Sequence, residues 1–238
     1  LSYALAGFPS TMAYGAYLAA VYALFLAFRE RRIPFRGTAE LAGGAAIAFL
    51  IALPFLVPFA QFIRRSGYLG LRAEMAARAY PWPHWRSFFD PQRHGNPVWK
   101  NWIGDPALGP LNNFIEATVY VGVLTIPLAA LALLQRRKAR WFWVVATVVI
   151  LLGMFGWAPL SSQIGKLPGF KYTALARLSM LLPIAAGFLA AAGASLVVSR
   201  FRRRLRPAGR LAGLAIAGVL GWELGVFAGT FHPYLRAE

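Results

Sequence analysis

The sequence predicts an all-α, polytopic membrane protein: about six spanning helices in a bundle, with one long extracytoplasmic loop. Three observations predict it. Hydrophobic residues fill 58% of the 238 positions and charged residues only 14%, whereas a soluble domain carries about 25% charged residues to face water. Six segments are apolar over a length that can cross a hydrocarbon core, which takes about 20 residues of helix. Finally, 14 of the 25 Lys and Arg lie in three short stretches, each separating two of those segments.

In chain order the six segments are Ser10–Phe28, Leu41–Ile63, Ala117–Leu134, Trp141–Trp157, Ala174–Ser199 and Leu211–Phe231. The basic stretches follow the first, third and fifth. They are Arg29, Arg31, Arg32 and Arg36; then Arg136, Arg137, Lys138 and Arg140; then Arg200, Arg202, Arg203, Arg204, Arg206 and Arg210. Loops rich in Lys and Arg stay in the cytoplasm, so this alternation puts all three basic loops inside and both chain ends outside. The same distribution accounts for the net charge of +17 without a nucleic-acid partner. Cysteine is absent, which excludes disulfides and thiolate chemistry. The opening Leu1-Ser2-Tyr3-Ala4 reads as a cut through an apolar segment, so residues 1–238 are expected to be one membrane bundle from a longer chain.

Small residues suggest where helices meet. Gly213, Ala217, Gly221, Gly225 and Gly229 recur every four residues along the last segment, a spacing that lets backbones approach closely. Ala186, Ala190 and Ala194 make a second stripe. Pro54, Pro58, Pro127 and Pro183 fall inside spans, where neighbours can satisfy the freed carbonyls. Trp141 and Trp143 stand at an expected membrane–water boundary, as belt aromatics do.

The loop from residue 64 to 116 holds most of the candidate chemistry. It is rich in Pro, Gly, Asn and aromatic residues, including Trp82, Trp85, Trp99 and Trp102. Loops of this length without regular structure are more often functional than mere connectors. Asp90, Asp105 and Glu116 are the weak candidates for a general base or a cation ligand. Asp90-Pro91 and Asp105-Pro106 equally suit ordinary turns, and Glu116 suits the positive end of a helix. His84, Asp90 and His94 lie near one another in sequence without matching a metal-ligand spacing, so no metal site is assigned. Glu223 lies within the last span, where an ionisable group is costly and marks either function or an internal pairing with Arg or loop amides. Lys171 and Arg177 flank the outer start of the fifth span. Cations there hold a lipid-linked phosphate or snorkel to headgroups.

Four segments in order resemble the YfhO-like bacterial membrane proteins, of the GT-C glycosyltransferase type. They are Ala6-Gly7-Phe8-Pro9-Ser10-Thr11, Asn113–Gly122 with its Glu116 and terminal Tyr120-Val121-Gly122, Leu167–Leu178 with Pro168-Gly169-Phe170 and Arg177, and Phe231-His232-Pro233. Phe8 stands where that family has His. The resemblance covers the later part of such a membrane core, whose main acidic loop is expected upstream. It implies a multi-pass protein of the bacterial cytoplasmic membrane that moves sugar from a polyprenyl-phosphate donor to an envelope glycan acceptor outside. It also implies that Lys171 and Arg177 bind the donor phosphate and that Trp82, Trp85, Trp99 and Trp102 stack on sugar. No cofactor is expected in this portion, though a divalent metal suits the full-length protein. A lipid or polysaccharide flippase centred on Glu223, or a non-catalytic membrane scaffold using the glycine ridge, would fit the same helices.

Overall fold

A chain this apolar can satisfy its backbone in hydrocarbon only by closing hydrogen bonds within helices or round a barrel, and it takes the first course. The computed structural model describes residues 9–30, 35–67, 70, 78–96, 99–104, 106–111, 117–135, 139–168, 170–204 and 206–231. Its α-helices are α1 (Pro9–Glu30), α2 (Phe35–Arg65), α3 (Thr125–Leu131), α4 (Arg140–Met154), α5 (Ala158–Ile164), α6 (Leu182–Arg204) and α7 (Arg206–Phe231). Tighter 3₁₀ turns cover Trp82–Phe88, Ala132–Leu134, Phe170–Tyr172 and Leu175–Leu181, among others. The described residues contain no strand.

Three helical stretches among the described residues are long and apolar enough to cross a membrane: Ala42–Arg65, Leu175–Arg202 and Pro207–Thr230. These match the second, fifth and sixth expected spans. The first is present as the shorter apolar stretch Ala13–Arg29. The fourth stops at Met154 and meets α5 at a bend of 92°, so the two make a fourth crossing only if counted together. Gly156 sits at that bend with φ of 73°, a conformation glycine enters freely. The third expected span, Ala117–Leu134, is corrected most: residues 118–124 are non-helical, and the helix begins only at Thr125. Thr118-Val119-Tyr120-Val121 is a β-branched and aromatic run, which favours extended backbone. Gly122 at φ of 90° then turns the chain.

The chain divides into two compact units, residues 1–79 with 152–181 and residues 80–151 with 182–238. In the first, Tyr14 of α1 is fully buried and packs at a tilt on Phe170, with ring centroids 4.5 Å apart. Its hydroxyl donates to Thr173 Oγ1 at 2.9 Å, and Tyr17 donates to Pro168 O at 3.0 Å. Leu175, Ala176 and Leu178 complete this core, and Ala176 N–H donates to Arg78 O at 3.0 Å. Helix α2 is exposed at Ile47, Leu50, Ile51 and Phe62. An apolar helix with so little covered suits lipid as its neighbour.

In the second unit α6 is central and packs on α3 and α7. Ala186 and Ala190 are buried, as their stripe predicted. Gly193 is the closest approach, since a Cβ there would collide with the carbonyl of Leu128 on α3. The glycine ridge of α7 behaves otherwise beyond Gly213, which is half-covered and faces Val198 of α6. Nothing lies within 4 Å of a Cβ at Gly221, Gly225 or Gly229, and the covered stripe is Ile216, Leu220, Glu223, Phe227 and Thr230. Of the two expected belt residues, Trp141 is exposed, but Trp143 is buried and stacks 4.1 Å from Phe188 of α6. These contacts give opposite expectations for two glycines. Gly193→Ala should cost about 1–3 kcal/mol by overpacking, whereas Gly221→Ala should gain up to about 1 kcal/mol of helix propensity. Thermal unfolding of both variants in detergent, followed by tryptophan fluorescence, reads the difference; equal midpoints would refute the α3–α6 contact.

Candidate functional site

Within the second unit, the described part of the long loop from residue 80 onward folds into a small module resting on the Phe231 end of α7. Pro81 and Pro83 fix φ at the start of the turn Trp82–Phe88. In a 3₁₀ turn, residues three apart eclipse one another. His84 and Ser87 therefore point inward together and are buried, while Trp82 and Trp85 share the outer side. The rings of Tyr80 and His84 stack at 4.6 Å, and those of His84 and His94 at 5.3 Å. His84 Nε2 donates to Ala117 O at 2.8 Å.

The rest of the module is held by backbone and amide groups. His94 O accepts from Ile103 N–H at 2.9 Å and Gly104 N–H at 3.2 Å. Gly95 has φ of 82°, and a Cβ there would strike the Asn101 carbonyl. Asn96 is buried; its N–H donates to Asn101 Oδ1 at 2.8 Å and its Nδ2 to Thr230 O at 3.0 Å. The last carbonyls of a helix have no intrahelical partner, so Asn96 supplies one to α7. Gln92 Nε2 reaches Thr230 Oγ1 at 3.5 Å.

A second anchor lies deeper. Glu223 is about 12 Å from the Phe231 end of α7, at 1.5 Å per residue. Its carboxylate accepts from the Tyr120 hydroxyl, from Val123 N–H, and from Leu124 N–H at 3.4 Å. Tyr120 also packs on Phe227, with centroids 4.8 Å apart. Of the two readings the sequence left open, the pairing with loop amides is the one found. The residue joins 120–124 to α7.

The other sequence candidates fare differently. Asp90 Oδ1 accepts from Gln92 N–H at 3.1 Å, the hydrogen bond of an Asx-turn. Asp105 and Glu116 lie outside the described residues, as does the side chain of Lys171. Arg177 is buried in the first unit, on the turn Leu175–Leu181, which does not suit snorkelling to headgroups. Trp82, Trp85 and Trp99 are exposed, and Trp102 is half-buried. His84 and His94 are brought together by stacking, and no group of three metal-ligating side chains occurs among the described residues. The sequence reading missed Tyr120, Gln92, Asn96 and Thr230, whose partners lie too far along the chain to show in any local pattern.

Comparison with protein-family models, curated proteins and solved structures finds no match to this chain. The module therefore has to be understood from its own geometry. Tyr120→Phe should lower stability by about 1.5–3 kcal/mol, the range for a hydrogen bond to a charged group. Glu223→Leu should cost more, because it strands three donors. Hydrogen exchange at Val123 and Leu124 should accelerate in both variants; protection as in the wild type would dismiss the anchoring of residues 120–124 by Glu223.

Proposed function

We propose that this chain belongs to the membrane core of an envelope glycosyltransferase of the GT-C type, similar to the YfhO-like proteins. In this reading six segments cross the bacterial cytoplasmic membrane, the basic loops are cytoplasmic, and both ends and the long loop lie outside. The observation that supports it most is the exposed aromatic side of the loop. Trp82 is 68% exposed and Trp85 40%, on a turn whose inward residues are buried and whose module is tied to Thr230. Such rigid, flat faces suit the C–H edges of a sugar ring, with Trp99 and Trp102 as further surfaces. They stand beside the end of a spanning helix, where a lipid-linked sugar presents its headgroup.

The phosphate of a polyprenyl-linked donor needs cations in a partly dehydrated place, where charge-assisted bonds are strong. Lys171 and Arg177 take that role, and the burial of Arg177 supports it. Charge developing at the sugar carbon calls for a carboxylate. Asp90, Asp105 and Glu116 are the loop carboxylates put forward for that role, alongside an acidic loop expected upstream, and a divalent metal suits the full-length protein. A scaffold reading has one observation of its own, the open ridge of Gly221, Gly225 and Gly229. The flippase reading loses weight because Glu223 is already engaged by three donors.

The test is transfer of labelled sugar from polyprenyl-phosphate donors in membranes carrying the protein, with insertion checked in each variant. Trp82→Ala with Trp85→Ala should lower transfer about tenfold, taking about 0.7 kcal/mol for each aromatic contact. Phe at both positions should retain most of it. Arg177→Lys should weaken donor binding, since it keeps the charge and loses the planar fork. Transfer and binding unchanged in every variant would sink the reading.

A further inference from the structure

Farther along α6, towards the basic end of the second unit, lies a cavity of about 280 Å³ that the glycosyltransferase reading does not use. It opens between α4 and α6, and is lined by Gln135, Arg140, Trp143, Phe188, Leu189 and Ser195, among others. Its two sides differ in chemistry. One carries the guanidinium of Arg140, whose Nε and Nη1 are buried without a hydrogen-bond partner among the described residues. The guanidinium carbon lies 5.0 Å from the Trp141 ring centroid, a cation–π contact that still leaves Nε and Nη1 without a hydrogen-bond acceptor. The other side is apolar, built by Trp143 stacked on Phe188.

Arg140 is half-buried as a whole, yet two buried guanidinium nitrogens without an acceptor are costly, and an anion relieves that cost. The chain has little to offer for that purpose. No Asp or Glu occurs between Glu116 and Glu223, so neither α4 nor α6 carries one. The neighbourhood is cationic instead. Two more grooves at this end are lined by Arg200 and by Arg202 with Arg210. Basic pockets between spanning helices are where anionic headgroups are held.

We propose that this cavity binds the phosphate of an anionic phospholipid, with Arg140 on the phosphate and Trp143, Phe188 and Leu189 against the acyl chain. Ser195 borders the same space and offers its hydroxyl to the headgroup, while Gln135 Nε2 is held by Ala192 O and fixes the wall. The planar fork of Arg140 matches two phosphate oxygens. The apolar wall gives a reason to prefer a phosphate that carries a tail over the free ion. This site is separate from the outer module, and its test does not depend on sugar transfer.

The experiment measures binding to the purified 238-residue chain, in a zwitterionic detergent, of three probes: phosphatidylglycerol, phosphatidylcholine and inorganic phosphate. The wild type should retain phosphatidylglycerol in native mass spectrometry and release phosphatidylcholine, and inorganic phosphate should compete only weakly. Arg140→Gln should weaken phosphatidylglycerol binding about tenfold or more, the loss of one charge-assisted hydrogen bond. Ser195→Trp, at an exposed position that tolerates bulk, should block the cavity and weaken it comparably without altering the fold. Arg93→Gln, an exposed arginine of the outer loop, should leave binding as it was. Wild-type affinity in both Arg140→Gln and Ser195→Trp overturns the site. If Arg140→Gln fails to fold, Ser195→Trp decides alone. Inorganic phosphate binding as tightly as phosphatidylglycerol, and untouched by Ser195→Trp, overturns the lipid assignment.

Discussion

A carboxylate cannot sit bare at membrane depth, and the way Glu223 meets that constraint shapes the second unit. It draws Tyr120 and the amides of Val123 and Leu124 onto α7, so these residues are not free to extend α3 backwards. The helix therefore starts at Thr125 and is short. Just upstream, Ala117 O accepts from His84, which stacks between Tyr80 and His94. His94 leads through Gly95 to Asn96, and Asn96 returns to α7 at Thr230. The contacts thus close a circuit that leaves α7 at Glu223 and rejoins it at Thr230. These two residues are seven apart, two turns of helix and on one face, with Phe227 between them against Tyr120.

That face was not legible beforehand, and the reason is physical. In water the buried side of a helix is marked by apolar residues against polar ones. In lipid the outer side is apolar as well, so the contrast disappears. The sequence of α7 drew the eye to Gly213, Ala217, Gly221, Gly225 and Gly229, yet the covered stripe runs through Ile216, Leu220, Glu223, Phe227 and Thr230. Only Glu223 broke the uniformity, and it was the residue that mattered. Trp141 and Trp143 show the same loss of contrast: two identical aromatics, one exposed and one stacked on Phe188. What survives is length and local stiffness. Apolar runs located the stretches Ala42–Arg65, Leu175–Arg202 and Pro207–Thr230 within a few residues, and the β-branched run at 118–121 was a signal against helix outweighed by its hydrophobicity.

The outer loop was read through its aromatic residues, and the structure adds what holds them. Pro81, Pro83 and the three-residue spacing of His84 and Ser87 make one side of the turn inward, leaving Trp82 and Trp85 outward by geometry. Asp90 conforms to its turn reading. The residues that tie the module down, Gln92 and Asn96, are plain amides among many in the loop. Their partner Thr230 lies well over a hundred positions away. A single sequence carries no sign of such a pairing, because an amide that caps a distant helix looks like one that faces water.

The two ends of this unit settle their polar groups by opposite means. At the Phe231 end of α7 the donors and acceptors belong to the chain itself: an amide on a helix carbonyl, an imidazole on a backbone oxygen, a carboxylate on a hydroxyl and two amides. At the other end the charges are all of one sign, from Arg140 to Arg200, Arg202 and Arg210, with no acid on α4 or α6 to balance them. Self-repulsion of that kind destabilises a compact state unless counter-ions gather there. A membrane surface supplies them, since anionic headgroups attract each Lys or Arg near it by about 1 kcal/mol. The sequence therefore places its internally paired polar groups where the loop must keep its shape. It leaves unbalanced charge at the end where anionic counter-ions can gather.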